Sequence, residues 1–296
     1  MPSTYFTAGP HWRWLIVLYF FVGGIAGGTY FLAALIDCAG RPGDRPLARL
    51  GYYVAFPAVI VCGILLVLDL NRPDRFWHML VQSATWKPMF KAYSPMSVGA
   101  WALLGFGFFS LLSFLAALAE ERSGRWQRFG VLRPPGPLGL VAVALGGLFG
   151  LFLSGYTGVL LAVTNRPVWA DTPLLGLVFV VSAASTSAAV LMLLGSGRRW
   201  PRADLAALQR FDAWALILEL VVLAALVASL GSVARLWLNG WGVLLGLGVV
   251  VLGILVPLLL HWRVRLGGLT PTMAAVLVLL GGFLLRVVIV MSTEVV

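Results

Sequence analysis

The chain has 296 residues, of which 60% are apolar and only 11% carry a charge. This composition lies far outside the range of soluble domains, so the sequence predicts an integral membrane protein. The net charge of +10 does not indicate nucleic-acid binding, because the basic residues lie in loops between apolar runs rather than in one patch with exposed aromatic residues.

Eight apolar runs follow one another along the chain. A helix that crosses the hydrocarbon core needs roughly 20 mostly apolar residues, and these runs lack the alternation of β-barrel strands. The sequence therefore predicts an all-α integral membrane protein with eight transmembrane helices in a single polytopic domain, 1–296. We expect two four-helix bundles, 1–170 and 171–296. The predicted helices are 14–36, 50–68, 97–118, 137–163, 173–194, 213–233, 240–260 and 269–290.

Basic residues are distributed unequally between the two sides of the membrane. Loops after the first, third, fifth and seventh helices hold thirteen of the 21 lysines and arginines, and the other side holds seven. Cytoplasmic loops carry the excess of basic residues in membrane proteins. We therefore expect both termini on the outer side of the membrane.

The first apolar run contains "GGIAGG" at 23–28, in which glycines recur four residues apart. This spacing lets another helix or a flat ligand approach the backbone closely. Helix packing alone usually explains such a motif, and close approach of a flat ligand is the alternative.

Two apolar runs end in the same Asn-Arg-Pro triplet, in "LDLNRPDRFW" (68–77) and "VTNRPVW" (163–169). The triplet suits a helix end, where Asn bonds free backbone groups, Arg faces the negative end of the dipole and Pro prevents continuation. Two helix stops with interfacial Trp77 and Trp169 would explain both copies. Asp69 favours a site in the first copy, because a carboxylate at the end of a span is costly unless it is paired or hydrated.

Two tyrosines are predicted at the same membrane level. Tyr156 lies on the order of 13 Å below the end of its run, and Tyr19 lies about 8 Å deep, at roughly 1.5 Å per residue. A quinone dissolved in the lipid suits such a pocket, with tyrosine bonding one of its oxygens and Asp69 exchanging the proton that accompanies electron transfer. Transport of a small solute is an equally natural function for eight helices.

Four stretches resemble the NrfD/PsrC family of polysulfide reductase membrane subunits. The resemblance implies electron exchange between menaquinone or ubiquinone and a separate iron–sulfur subunit of the four-cluster ferredoxin-like type. It also implies a catalytic partner subunit, often with molybdopterin, and a multi-pass location in the bacterial or archaeal cytoplasmic (inner) membrane. No haem or iron–sulfur cluster is expected in this chain, and no metal site. The stretches are "WLIVLYFFVGGIAGG" (14–28), "LDLNRPDRFWHML" (68–80), "SPMSVGAW" (94–101) and "SGYTGVLLAVTNRPVW" (154–169).

The same resemblance implies roles for individual residues. Tyr156 corresponds to the tyrosine that contacts the quinone, and Tyr19 replaces a first-helix histidine of the family. Asp69, with Asn71 and Arg72, is similar to the family's acidic and basic cluster at the outer end of the second helix. We expect Tyr156 and Asp69 to perform the proton-coupled chemistry and all five residues to bind the quinone.

Three further positions carry hypotheses with alternatives. His11, near the predicted interface, is a candidate quinone ligand or a solvated surface residue. Glu219, about six residues into the sixth predicted helix, is a candidate for a proton route toward the cytoplasm or a hydrogen-bonding clamp between helices. Arg286, near the outer end of the last helix, would snorkel to the surface or pair with an acid.

The segment 71–96 combines basic and aromatic residues, as protein interfaces do. We expect it to bind the iron–sulfur subunit. A membrane-surface loop with snorkelling cations and an aromatic belt is the alternative. The predicted partner-binding residues are Arg75, Trp77, Trp86, Lys87 and Lys91.

The sequence leaves two other functions open. A secondary transporter would show paired halves with broken helices at the membrane midplane, and the triplets are the only half-to-half similarity found. A passive anchor that merely holds soluble subunits at the membrane fits the composition equally well, and differs in lacking quinone.

Overall fold

The computed structural model describes residues 12–121, 124–196, 202–262 and 270–293. Within these ranges the regular structure is helical, apart from one isolated bridge between Val81 and Pro88. Eight helices are long and apolar enough to cross a membrane, which confirms the predicted number. They are α1 Trp14–Ala39, α2 Arg45–Leu68, α3 Pro95–Glu121, α4 Pro137–Ala162, α5 Leu175–Ser196, α6 Arg202–Leu230, α7 Gly240–Trp262 and α8 Thr270–Met291.

Proline marks several helix starts, since its fixed φ suits the first turn and its missing amide hydrogen is not needed there. Pro95 and Pro137 are the first residues of α3 and α4. The largest error of the sequence prediction is in α6, which begins at Arg202 rather than at residue 213. The polar residues before the apolar run continue the same helix, because hydropathy marks only the part of a helix that suits lipid.

α7 contains a π-helical stretch, Leu244–Leu255, directly before Pro257. Proline removes one amide donor from the helical ladder, and local widening of the helix is a common response. The same region contacts α8 through two glycines. A Cβ atom on Gly253 would lie 2.5 Å from the Cα of Gly281, so the two backbones touch there.

α1 is the central helix of the molecule, in contact with α2, α4, α5 and α8. Its glycines face different neighbours. A Cβ atom on Gly27 would lie 2.2 Å from the carbonyl oxygen of Gly150 in α4. A Cβ atom on Gly28 would lie 2.7 Å from the carbonyl oxygen of Ala183 in α5. The glycine motif of the sequence therefore mediates helix packing on two sides.

The first four helices contact one another in the order α1–α2–α3–α4 and back to α1. In the second half, α5 packs on α6 and α8, and α7 packs on α8. The two halves are not separate bodies, because α1 and α4 both pack on α5. The division into four-helix bundles at 1–170 and 171–296 stays a prediction.

Both Asn-Arg-Pro triplets lie at one end of the helical bundle, which we call the Asn-Arg-Pro face. The second triplet joins several elements there. Trp169 is fully buried, stacks on Trp12 at 5.5 Å between centroids and donates from Nε1 to the carbonyl oxygen of Ile289 over 2.6 Å. Arg166 donates to the carbonyl oxygen of Thr293 over 3.1 Å. An interfacial position for Trp169 is therefore wrong, because the loop folds inward between α1 and α8.

The opposite end, called the arginine-rich face, carries a buried ionic cluster. The Arg133 guanidinium, with a side chain 4% exposed, pairs with Asp37 of α1 and donates to Glu120 of α3 over 2.9 Å. The Tyr52 hydroxyl of α2 donates to Asp37 over 2.8 Å. The cluster joins α1, α2, α3 and the segment before α4.

We expect Gly27→Leu to destabilise the protein more than the roughly 1–3 kcal/mol of ordinary core overpacking, because the added side chain meets backbone rather than a movable side chain. Thermal unfolding in detergent measures the effect as a lower Tm. Gly107→Leu is the matched control, since a Cβ atom there meets nothing within 4 Å. Equal Tm values for the two variants would contradict the central position of α1.

Candidate functional site

Tyr156 lies near the Asn-Arg-Pro face, 7% exposed. Its hydroxyl donates to the carbonyl oxygen of Pro95 over 2.7 Å, so it lies level with the first residue of α3 rather than deep below the face. Gly99 makes room for the ring, because a Cβ atom there would lie 2.2 Å from the phenol oxygen. The Phe152 ring stacks on Tyr156 at 5.6 Å. Since a phenol has one donor and two lone pairs, Tyr156 keeps an acceptor for another partner.

Tyr19 lies in α1, 3% exposed, with Gly23 and the buried Cys62 beside its ring region. Within the part of the chain that the structure describes, the Tyr19 hydroxyl makes no hydrogen bond. The Tyr19 hydroxyl is not among the fully enclosed side-chain atoms that lack a partner, so it keeps some accessible surface through which a ligand or water can reach it. Tyr19 and Tyr156 are close enough to interact electrostatically, and α1 packs on α4. The structure thus brings together the two tyrosines that the sequence singled out.

Asp69 directly follows the last residue of α2 and is half-buried. Partial burial raises the pKa of this carboxyl above its ordinary value, because burial disfavours the charged form. Its side chain forms no ion pair with the described residues, and Arg75 instead pairs with Asp74 at 3.9 Å. Asp69 is therefore an unpaired acid that keeps its proton to a higher pH than a solvated aspartate.

The remaining predicted quinone ligands are not drawn into this region. Asn71 and Arg72 are exposed, and their side chains make no hydrogen bond or ion pair with the residues that the structure describes. His11 lies outside the described residues. A role in quinone binding stays a prediction for all three.

The segment 71–96 carries an exposed tip. Its chain reverses at the bridge between Val81 and Pro88, and Trp86 at the turn is 73% exposed with φ of +56°. A positive φ at a bulky residue is strained, and such strain concentrates at functional positions. Trp77 stacks on Trp86 at 5.4 Å with nearly parallel rings.

The cations predicted to bind a partner lie on the same exposed surface. Lys87 is next to Trp86 in the turn, and Lys91 follows before α3 begins. Arg75 is also exposed, and its side chain reaches Asp74 of the same short 3₁₀ turn, Pro73–Met79. The segment therefore presents aromatic rings and basic groups together.

Glu219 lies deeper than the sequence indicated. It is 14 residues from the start and 18 from the end of the span Leu205–Trp237, hence near the middle. The earlier start of α6 explains the difference. Glu219 is 3% exposed and accepts a hydrogen bond from the Ser185 hydroxyl over 2.9 Å.

Arg286 does not snorkel, and that expectation is wrong. The side chain is 1% exposed, donates to the Ser182 hydroxyl and to the carbonyl oxygen of Gly282, and lies 5.2 Å from the Phe179 ring centroid. It forms no ion pair with another described residue. The guanidinium is enclosed because α8 packs against α1 and α5. Polar groups of the protein therefore accept hydrogen bonds from it in place of water.

A buried pair on α6 and α7 was missed by the sequence analysis. His261 Nε2 lies 2.8 Å from Asp212 Oδ2, and both side chains are at most 4% exposed. The residues are 49 positions apart. The sequence offered one indication of this pair, since both residues lie toward the arginine-rich ends of consecutive helices. Asp212 precedes Glu219 by two helical turns, about 10 Å along α6.

Comparison with known proteins identifies the family. Residues 6–296 match the family described as "Polysulphide reductase, NrfD". The chain belongs to the NrfD family. This finding confirms the resemblance noted in the sequence and, with the eight apolar helices, makes the chain a multi-pass membrane subunit of the kind found in reductase complexes.

Similar proteins include two that match the NrfD-family chain over most of their length. The C chain of polysulfide reductase from Wolinella succinogenes is 27% identical, over 84% of this chain and 82% of the relative. Protein NrfD of Escherichia coli is 29% identical, over 89% of this chain and 88% of the relative. The C component of selenate reductase from Mesobacillus selenatarsenatis is 26% identical over a shorter stretch, 27% of this chain and 19% of the relative.

Proposed function

We propose that this NrfD-family chain binds quinol or quinone from the membrane pool at the Asn-Arg-Pro face, where α1 and α4 pack together. The observation that supports this is the pair of buried phenols. Tyr19 has a free hydroxyl, and Tyr156 has a free acceptor because its proton is directed at Pro95. One phenol suits a quinone carbonyl, and the other suits a quinol hydroxyl. The apolar surroundings suit a flat ligand that arrives from lipid.

Asp69 is proposed as the proton-exchanging group of this site. Oxidation of a quinol releases two electrons and two protons, and each proton needs an acceptor on its way to water. The ionised Asp69 carboxylate takes one proton at a time and passes it to the solvent at the face, since it is only half-buried. Quinone reduction uses the same residues in reverse, with protonated Asp69 as donor.

The electrons are proposed to pass to an iron–sulfur subunit of the four-cluster ferredoxin-like type. A catalytic subunit, in our proposal a molybdopterin enzyme, then performs the terminal reaction. Support comes from relatives that are themselves named as components of polysulfide reductase and selenate reductase. Menaquinone or ubiquinone is the proposed exchangeable substrate.

The proposed orientation in the membrane rests on the distribution of charge. The arginine-rich face carries the excess of basic residues, which is characteristic of the cytoplasmic side. We therefore assign the Asn-Arg-Pro face and both termini to the outer side of a bacterial or archaeal cytoplasmic membrane. The quinone site and the segment 71–96 then lie on the same side.

The exposed surface of segment 71–96 is proposed to bind the iron–sulfur subunit. Aromatic residues and arginine are enriched among the residues that dominate binding energy in protein interfaces, and the exposed Trp86 stacks on the half-buried Trp77 in this segment. Its last residues lead directly into Pro95, the partner of Tyr156. A subunit bound here would lie close to the proposed quinone site.

Glu219 is proposed as part of a proton route from the arginine-rich face. Buried ionisable groups on α6 follow one another from Asp212 to Glu219. From there, hydroxyls of α5 continue toward Arg286 of α8, with Ser185 bonded to Glu219 and Ser182 bonded to Arg286. Intramembrane ionisable groups are expensive to bury and are characteristic of proton and ion pathways.

We expect Tyr156→Phe to weaken quinol binding roughly 2- to 10-fold, the effect of one hydrogen bond. We expect quinol oxidation by the wild-type complex to rise with pH as the Asp69 carboxyl loses its proton, and Asp69→Asn should abolish this rise. Burial raises the pKa of Asp69, so this rise should occur at a higher pH than for a solvated aspartate. Extraction and mass analysis of bound quinone, a fluorescence titration and pH–rate profiles provide the measurements.

Tyr93→Phe and Asp74→Asn are the matched controls, because both side chains are exposed on the same face. Saturable quinone binding that survives in the wild type and controls but weakens in the variants supports the site. Absence of quinone binding in the intact complex would instead favour a passive anchor.

We expect Trp86→Ala to weaken binding of the iron–sulfur subunit by about 2 kcal/mol, the scale of an interface hot spot. Lys87→Glu should weaken it further at low salt, since charge reversal affects association electrostatically. Co-purification and titration with the isolated subunit measure both effects. Trp262→Ala, on an exposed tryptophan of the arginine-rich face, is the control and should bind normally. Normal binding by all three variants would exclude this surface.

We expect Glu219→Gln to lower the number of protons taken up from the arginine-rich side per electron transferred, because the amide cannot carry a proton. The assembled complex in liposomes, with a pH-sensitive dye on that side, gives this ratio. Glu121→Gln is the control, because the Glu121 side chain is 45% exposed at the same face. An unchanged ratio would leave Glu219 with a structural role only, as a hydrogen-bond acceptor that links α6 to α5.

A further inference from the structure

A groove of about 930 Å³ lies between α3 and α4 on the membrane-facing side of the molecule. Five of its ten lining residues are aromatic, and none has a charged side chain. Leu104 and Phe108 are each more than half exposed, so the groove is open to lipid along α3.

The segment 71–96 lines the end of the groove nearest the Asn-Arg-Pro face. Pro88 and Phe90 of the segment 71–96 form its end, and the Phe90 ring meets the Trp101 ring edge-on at 6.5 Å. Trp101 also donates from its indole nitrogen to the carbonyl oxygen of Met89 over 3.0 Å, which fixes the segment to α3. Because none of its lining side chains is charged and it is open along α3, the groove suits a molecule that comes from the hydrocarbon.

The groove borders the proposed quinone site. Phe152 lines the groove with one part of its ring region and stacks on Tyr156 at 5.6 Å. On α3, the lining residues Val98 and Ala102 flank Gly99, the glycine that accommodates the Tyr156 ring. The groove therefore extends from the lipid-facing side of α3 to residues that contact or flank the Tyr156 ring.

We propose that this groove holds the isoprenoid chain of the quinone whose head group binds at Tyr19 and Tyr156. The proposal rests on the proposed function, and it assigns the α3–α4 side as the route by which the ligand reaches the site. A long apolar chain attached to a polar head needs both a buried polar end and an apolar path to the lipid. The groove begins where the phenol site ends and supplies that path.

The isoprenoid tail would gain little from the hydrophobic effect, because it moves from lipid rather than from water. Its contribution comes from dispersion contacts with the aromatic walls and from the direction that it gives the head group. A side chain that fills the groove should therefore act by keeping the isoprenoid tail out. A long-tailed quinone then cannot place its head at Tyr156, whereas a tail-less quinone can.

Leu104→Trp fills the groove from a lipid-facing position, where folding tolerates a larger apolar side chain. Leu148→Trp is the matched control, since Leu148 of α4 is 63% exposed and does not line the groove. The probes are a menaquinone with four isoprene units and 2,3-dimethylnaphthoquinone, titrated against the intact complex in nanodiscs. We expect Leu104→Trp to raise the Kd of the long-tailed quinone at least about tenfold. The Kd of the tail-less quinone should stay within about twofold, and the control should match the wild type for both probes.

A second measurement does not depend on a variant. A quinone that carries a diazirine on its side chain should label α3 and α4 around Leu104 and Phe152 on illumination, and excess menaquinone should suppress the labelling. Unchanged affinity for both probes in Leu104→Trp, with labelling elsewhere, would overturn the proposal and leave the groove to ordinary lipid chains. Equal weakening of both probes would also overturn it, because the head site would have been displaced. If the wild type binds neither quinone probe, that result would overturn the proposed function itself.

Discussion

The close approach of α1 to its neighbours is the constraint on which the rest of the structure depends. In lipid, helices gain little from the hydrophobic effect on association, so backbone proximity and packing must hold them together. Gly27 and Gly28 allow α1 to touch α4 and α5 with its backbone. The same contacts set the position of Tyr19 relative to Tyr156, because both phenols lie on the same two helices, between these glycine contacts and the Asn-Arg-Pro face. Helix packing and the proposed site thus share one cause.

The absence of water within the bilayer explains where the polar groups lie. Each buried polar side chain needs an internal partner, and most have one. Arg286 and Glu219 are bonded to serines of α5, and Arg133 is bonded to two acids at the arginine-rich face. The enclosed side-chain atoms without a partner among the described residues are Arg49 Nε, Arg133 Nη2, Asp212 Oδ1 and Arg286 Nε, each on a side chain that is otherwise bonded or paired. Tyr19 differs, because its side chain makes no hydrogen bond with the described residues. An unpaired phenol in a protein that pairs most of its buried polar side chains is the feature that most favours a ligand.

The sequence singled out part of the proposed site and missed the rest for identifiable reasons. Tyr156 and Asp69 were singled out because a polar residue inside or at the end of an apolar run is conspicuous. Gly99 and Phe152 were not found, because small and aromatic residues are ordinary in a membrane helix and acquire meaning only beside Tyr156. The sequence predicted the wrong surroundings for the Arg286 side chain, since distance from the end of an apolar run does not indicate which side of the helix faces its neighbours.

The sequence by itself determined the class of the protein, the eight helices and the inequality of charge between the two faces. These properties depend on local composition and on run length, which the hydrocarbon thickness converts directly into spans. Family membership was also visible in short motifs. Only the tertiary structure decided that the Tyr156 proton is directed at Pro95, that Trp169 is buried, and that an apolar groove lies between α3 and α4. Those properties arise from contacts between residues far apart in the chain, and helix rotation and packing, which no single run encodes, determine them.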